Sequence, residues 1–328
     1  MQRAARLALL LTALVVLVST LPSPGADDAL GAAEETAAAR VAPRPSAGCA
    51  RREITHGRRI EQTIEVDGLE RSYVLDVPDS IRAGEPVPLL FDFHGIGHSG
   101  AGVWNVSGFK DLAEKERFIT VYPDGDQVSF TRDGRTFSGR GWEIRTLAPN
   151  RDVAFTLAML DRLEQDYCID RARVFATGFS NGGFFSHVLA CTHADRFAAV
   201  APVSGGWLSW RCAPSRPVPV LIHHGRRDEI IDVAEARRAF AAWQTIDGCS
   251  GSAAPDDPAT SPAEDGTSSA NGTTCQRAER CRANVTVEYC EGDFAHRWPA
   301  PATERIWRFL AAHPLPAAEA TTPGAAQN

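Results

Sequence analysis

No pair among the eight cysteines of this 328-residue chain has C-x-x-C spacing, so the usual pattern for a thiolate zinc site or a redox couple is missing. No apolar run is long enough to cross a bilayer. The N-terminal stretch from Leu7 to Val18 falls well short of the ~20 residues a spanning helix needs. No cysteine stands just after that stretch, which argues against a lipid anchor there. Basic residues are not in surplus: 34 Lys and Arg against 41 Asp and Glu give a net charge of −7. The arginines are scattered among acids, so neither a nucleic acid nor an anionic membrane is an expected partner. There is no internal repeat and no second apolar-patterned block, which leaves a single folded unit.

What is present begins with a signal. Arg3 and Arg6 precede the apolar stretch, and small residues close it near Ala26, so residues 1–26 read as a removed secretory peptide. Residues 27–48, mostly Ala, Glu and Pro, have too few large apolar side chains to offset the entropy of ordering and read as a mobile leader. Residues 49–313 form the expected domain, 250–274 a flexible surface insertion rich in Ser, Ala, Gly, Asp and Pro, and 314–328 a disordered tail. An even set of cysteines in an exported chain implies four disulfides and an extracellular protein.

Within the domain, apolar runs alternate with helix-like segments. "RIEQTIEVDGLERSYVLDVP" reads as a hairpin around Asp67-Gly68. "VPLLFDFHG", "FITVYPDG", "RVFATG", "FAAVAPVSG", "VPVLIHHG" and "NVTVEYCEG" read as strands. Helices are expected over 153–167 with Asp152 as N-cap, over "NGGFFSHVLAC", over 233–245 and over 303–312. Such alternation predicts an α/β protein, a mostly parallel sheet with helices on both faces.

One strand-to-helix junction carries chemistry. In "GFSNGG" a strand must turn into a helix within a residue or two, which strains the apex and excludes bulk two positions to either side. Gly178 and Gly182 flank Ser180 in this way. A serine hydroxyl is a weak nucleophile at neutral pH and needs a base, which in turn needs an acid to hold its tautomer. On this fold the three follow in the order nucleophile, acid, histidine, each on a loop at the carboxyl end of a strand. That order selects Asp228 after "VPVLIHHG" and His296 after "NVTVEYCEG". Asp232 competes with Asp228 but lies further from the strand end and suits a helix cap. His223 and His224, at the end of a buried strand, read as hydrogen-bonded structural residues, and His94 as a brace for the loop it opens. In that loop, "FDFHGIGHSG", the N–H of Ile96, with that of Asn181, is the expected oxyanion donor.

At this point the chain resembles a known family. "YPDG", "DYCIDRARVFATGFSNGG", "RFAAVAPVSGG", "RPVPVLIHHGRRD" and "HRWP" are similar to the secreted esterases grouped as polyhydroxybutyrate depolymerases and feruloyl esterases, within the α/β-hydrolase superfamily. The likeness runs from about Cys49 to Leu310. It implies an α/β-hydrolase fold, with Ser180 as nucleophile, Asp228 as acid, His296 as base and the loop from His94 supplying oxyanion donors. In "NRDVAF" the family pattern leads one to expect an acid where Arg151 stands.

The expected reaction is ester hydrolysis through an acyl-enzyme, with no cofactor and no metal, by a monomer acting on an ester substrate. Trp104, Trp142, Trp207 and Trp298 fall in or near loops that would rim a pocket, and serve equally as packing residues. No polymer-binding module is expected in the tail, residues 314–328. This favours acyl esters of plant polysaccharide fragments over hydroxyalkanoate polyester. A catalytically inactive carbohydrate- or polyester-binding protein is the alternative from another class, and a peptidase a minor one. Strand directions place Cys168 and Cys191 at the same sheet edge, suggesting that pair. Cys249 with Cys290, Cys275 with Cys281 and Cys49 with Cys212 would complete the set. "NVS", "NGT" and "NVT", at Asn105, Asn271 and Asn284, are sequons.

Overall fold

The computed structural model describes residues 41–132, 134–208, 211–252 and 272–317. In chain order the elements are β1 (Gly57–Val66), β2 (Leu69–Val77), β3 (Val87–Phe93), α1 (Gly100–Val106), α2 (Phe109–Glu116), β4 (Ile119–Pro123), β5 (Asp126–Arg132) and β6 (Arg135–Gly141). Then follow α3 (Arg151–Asp166), β7 (Ile169–Phe179), α4 (Asn181–Thr192), β8 (Ala199–Val203), β9 (Val220–Gly225) and α5 (Val233–Ile246). The last are β10 (Gly251–Ser252), β11 (Thr274–Glu279), β12 (Val287–Gly292) and α6 (Ala302–Ala312). None of the described helices is long and apolar enough to cross a membrane.

Ten strands form one sheet in the order β1-β2-β4-β3-β7-β8-β9-β12-β11-β10, and β5 pairs with β6 in a separate ribbon. The six central strands, from β4 to β12, are parallel. Antiparallel strands close both edges. The hairpin at the first edge turns through Asp67 and Gly68, both at positive φ, with Val66 opposite Leu69, the two-residue turn that the sequence requires. Along β3, Leu89, Phe91 and Phe93 enter one core with side chains of α3, α4 and α5. Leu90 enters the other, with α2 and α6. This alternation at period two is what a sheet covered on both faces needs.

The chain lays β3 and β4 outward in one direction, then returns to place β7, β8, β9 and β12 in the other. The reversal falls between β3 and β7, and the crevice at the carboxyl ends of such strands is where open α/β sheets place their sites.

Asp92 is fully buried on β3. Among the described residues no hydrogen bond of good geometry reaches its carboxyl oxygens. Burial pushes its pKa up to about 7, and the neighbouring Ser107 hydroxyl opposes this only in part. A raised carboxyl pKa favours folding below the unfolded value and loses that contribution as pH rises through the folded one. Asp92→Asn, which cannot ionise, is therefore expected to be more stable than the parent at pH 8. The gain is up to about 4 kcal/mol, three pKa units at roughly 1.4 each, and shrinks toward pH 4. Urea unfolding at the two pH values checks this, and an equal gain at both would contradict it.

The disulfides correct all four expected pairings, including Cys168 with Cys191, the one drawn from strand directions, although all eight cysteines are bridged. Cys49 pairs with Cys168, because the N-terminal segment runs along the foot of β7: Pro45 bridges Asp170, and Ser46 N–H donates to Ile169 O at 2.9 Å. Cys191 pairs with Cys212, since α4 lies over one face of the sheet and ends beside the loop between β8 and β9. The antiparallel register of β11 and β12 sets Cys275 opposite Cys290, which bond. Cys249 then meets Cys281, where Arg282 N–H donates to Asp247 O at 2.8 Å.

Three boundaries also move. Residues 41–48 are held in place, with Arg44 N–H on Asp170 Oδ1 at 2.8 Å, so the leader expected to reach residue 48 ends earlier. Leu315 is buried and its N–H donates to Ala172 O, so the tail begins beyond it. Residues 251–252 and 274 lie in strands. Residues 253–271 of the expected insertion and the signal segment lie outside the described residues. Asn150, not Asp152, caps α3, accepting from the N–H groups of Asp152 and Val153. Asp152 instead pairs with Arg71 at 2.9 Å and accepts from Glu143 N–H at 2.7 Å.

Candidate active site

Ser180 stands where β7 breaks into α4, at φ 57° and ψ −117°, a region of the backbone map that side chains rarely occupy. The packing explains the flanking glycines. A Cβ on Gly178 would lie 2.6 Å from Gly182 O, and one on Gly182 would lie 2.1 Å from Phe93 O. Strand, turn and helix thus close on one another with no room for a side chain. The bend is held by Ser180 N–H on Val203 O at 2.9 Å and by Phe184 N–H on Ser180 O at 3.0 Å.

Asp228 and His296 come from the loops after β9 and β12. His296 Nε2 lies 2.8 Å from Ser180 Oγ, and its Nδ1 lies 2.7 Å from Asp228 Oδ2. Three side chains up to 116 residues apart in the chain therefore form one continuous hydrogen-bonded line. The Phe179 ring packs on the imidazole, with centroids 4.7 Å apart. Asp228 Oδ1 accepts from the N–H groups of Ile230 and Ile231 at 3.0 and 2.8 Å. Burial alone would raise this carboxyl, but hydrogen bonds from His224, His296 and Ile231 outweigh it and hold its pKa well below the ordinary carboxylate range. Asp232, the competing acid, caps α5 by accepting from Ala234 N–H at 2.8 Å.

The loop after β3 lies against the serine, with a Cβ on Gly95 falling 3.3 Å from Ser180 Cβ. His94 braces it as the sequence suggests. Gly125 N–H donates to His94 Nε2 at 2.9 Å, so Nδ1 carries the proton and donates to Gly95 O at 2.7 Å. Burial lowers the His94 pKa to about 4, keeping the ring neutral at neutral pH. Drawing the Gly95 carbonyl toward the ring turns the N–H of Ile96 the opposite way, since a trans peptide opposes the two. Asn181, first residue of α4, spends its side chain on the Trp142 backbone, accepting from N–H at 2.7 Å and donating to O at 3.2 Å. Its main-chain N–H belongs to the first turn of the helix, where such groups lack an intrahelical acceptor.

The β5–β6 ribbon, which sequence patterning did not reveal, lies on this loop: Gly97 N–H donates to Arg140 O at 2.8 Å. Arg151, where an acid was expected, faces Asp126 of the ribbon at 3.7 Å. Of the four tryptophans, Trp142 is buried, stacks on Phe185 and donates to His94 O at 2.9 Å. Trp298 is also buried and donates to Thr303 Oγ1 at 3.0 Å, anchoring the loop that carries His296. Trp104 donates to Asp76 at 3.2 Å beneath Lys110, and Trp207 packs edge-on against Trp243. All four therefore have packing partners. Among the described residues one cluster has metal-ligand spacing, Cys275, Glu288 and Cys290, and both its sulfurs are consumed in a disulfide.

Comparison with known proteins places the chain in a family. A family model described as phospholipase/carboxylesterase matches residues 83–258. Feruloyl esterase D of Neurospora crassa is 29% identical over 252 residues, 73% of this chain and 76% of its own length. Feruloyl esterase B of Piromyces equi is 26% identical over 70% of this chain, which spans 44% of that longer protein. Feruloyl esterase C of Emericella nidulans is 32% identical over 55% of this chain and 63% of its own length. Among solved structures, an acetyl xylan esterase from Aspergillus awamori superposes with a TM-score of 0.57 at 16% identity, covering 77% of this chain and 99% of its own. That likeness shows the α/β-hydrolase fold.

Proposed function

We propose that this chain, which belongs to the phospholipase/carboxylesterase family and is an esterase, is a secreted serine enzyme that removes acyl groups from plant polysaccharide fragments through an acyl-enzyme. The observation that carries the proposal is the unbroken line from Ser180 Oγ through His296 to Asp228 Oδ2. Ser180 attacks the ester carbonyl while His296 Nε2 takes its proton. The N–H groups of Ile96 and Asn181 receive the developing oxyanion. His296 then protonates the leaving alcohol, and water, activated by the same imidazole, frees the acid and regenerates the serine. Asp228 keeps the Nδ1–H tautomer in place and offsets the charge of the imidazolium.

The substrate class rests on the feruloyl esterases to which the chain is similar. Secretion rests on the N-terminal sequence and on four disulfides, which persist in oxidising compartments. An intact hydrogen-bonded triad favours turnover over the inactive binding protein. The direct test has two arms. Ferulate release from feruloylated xylan fragments is expected, without clearing of a hydroxybutyrate film. A fluorophosphonate is expected to label the peptide bearing Ser180. Film clearing without ferulate release would move the substrate to polyester, and labelling elsewhere would overturn the mechanism.

A further inference from the structure

We propose that His224 is a positioning residue for the triad acid: its Nε2–H, shared between Asp228 Oδ2 and the Ile231 carbonyl, fixes the carboxylate and limits the charge that it presents to His296. This rests on the triad reading above. His224 is the penultimate residue of β9 and fully buried. Its Nε2 lies 2.9 Å from Ile231 O and 3.3 Å from Asp228 Oδ2. A carbonyl oxygen only accepts, so Nε2 carries the proton. Nδ1, buried and without a hydrogen-bond partner among the described residues, is then the bare nitrogen.

The consequence is a closed ring of contacts. Ile231 N–H holds Asp228 Oδ1 at 2.8 Å, while the carbonyl of the same residue shares the His224 proton with Oδ2. The carboxylate is gripped at both oxygens and cannot rotate without breaking the turn. Oδ2 is also the oxygen that receives His296 Nδ1, so the two imidazoles draw on one lone-pair region. Removing the His224 donor leaves more charge facing His296 and a looser acid.

Other ionisable groups near the turn are otherwise engaged. His223, on the opposite side of β9, is held neutral by burial, its pKa lowered to about 3. Arg226 and Arg227 face Glu291 and Asp293. Asp232 caps α5, and Glu235 pairs with Arg238 on that helix.

The test compares the parent with His224→Gln and His224→Phe on one soluble ester across pH 4 to 9, with active sites counted by fluorophosphonate. For His224→Phe, kcat per titrated site is expected to fall about tenfold with KM unchanged. The acid limb of kcat/KM should move to higher pH by about half a unit, because an imidazolium facing a freer carboxylate is stabilised. His224→Gln, whose amide nitrogen can occupy the place of Nε2, should restore both. Should the Phe variant not fold, His224→Asn, too short to span to Oδ2, is expected to behave as the Phe variant does. A Phe or Asn variant with parental kcat and an unmoved acid limb overturns the proposal, as does a Gln variant no better than either. Failure of the parent to label at Ser180 would overturn the triad itself, a result distinct from any behaviour of position 224.

Discussion

Replacing Ser180 by alanine is expected to lower kcat on a soluble ester by about a million-fold, with KM little changed. In the proposed mechanism the hydroxyl is the group that bonds to the acyl carbon, while the proposed oxyanion donors, the N–H groups of Ile96 and Asn181, are untouched by the substitution. Alanine retains the Cβ and inherits the backbone angles of the parent, so the thermal midpoint should stay close to that of the parent. Fluorophosphonate labelling should vanish with the activity. Single-turnover kinetics and intact-mass analysis check this, and a variant within tenfold of the parent would remove Ser180 from the reaction.

Asp228→Asn is expected to lower kcat about ten-thousand-fold, with the fold intact. The two main-chain N–H groups on Oδ1 hold the amide oxygen in that place. The amide NH₂ then faces His296 Nδ1 and drives the ring to the tautomer whose proton points at Ser180, so the base can no longer accept. The low pKa of Asp228 means that this carboxylate stays ionised throughout the assay range. Its contribution to stability is present above the ordinary carboxyl pKa of ~4 and fades only as pH falls through the lower folded value, the reverse of Asp92. Asp232→Asn keeps an amide oxygen that can still cap α5, and should leave kcat within about twofold. A pH–rate profile of the three proteins separates the roles, and equal losses at 228 and 232 would contradict the assignment.

The strand and helix sequence was legible because each apolar run has the right period and is punctuated by turn residues, as at Asp67-Gly68. The candidate nucleophile was legible because close packing admits only glycine at 178 and 182. The location of acid and histidine follows from the parallel sheet, whose carboxyl ends all face one way, their chain order was taken from the α/β-hydrolase pattern, and distance from the strand end separated Asp228 from Asp232. The disulfides were not legible. Pairing depends on which layer each segment occupies, and neither the path of residues 45–50 along β7 nor the register of β11 against β12 is encoded in cysteine spacing. The part played by His224 was equally hidden. A histidine ending a buried strand shows no sign of which loop will fold back onto it, and only the return of Ile231 over the ring makes the contact.

The bridges enclose residues 49–168, 191–212 and, through two interlocked links, 249–290. Ser180, Asp228 and His296 fall in three of the intervals left outside. Kept bridges therefore shorten the chain path from Ser180 to Asp228 and from Asp228 to His296, since a crosslinked loop lies within each interval, yet they tie no triad member to another. Each refolding event must still close both shortened loops before the three side chains meet. Recovery of esterase activity after denaturant dilution should accordingly trail the return of secondary structure, even when every crosslink has been kept.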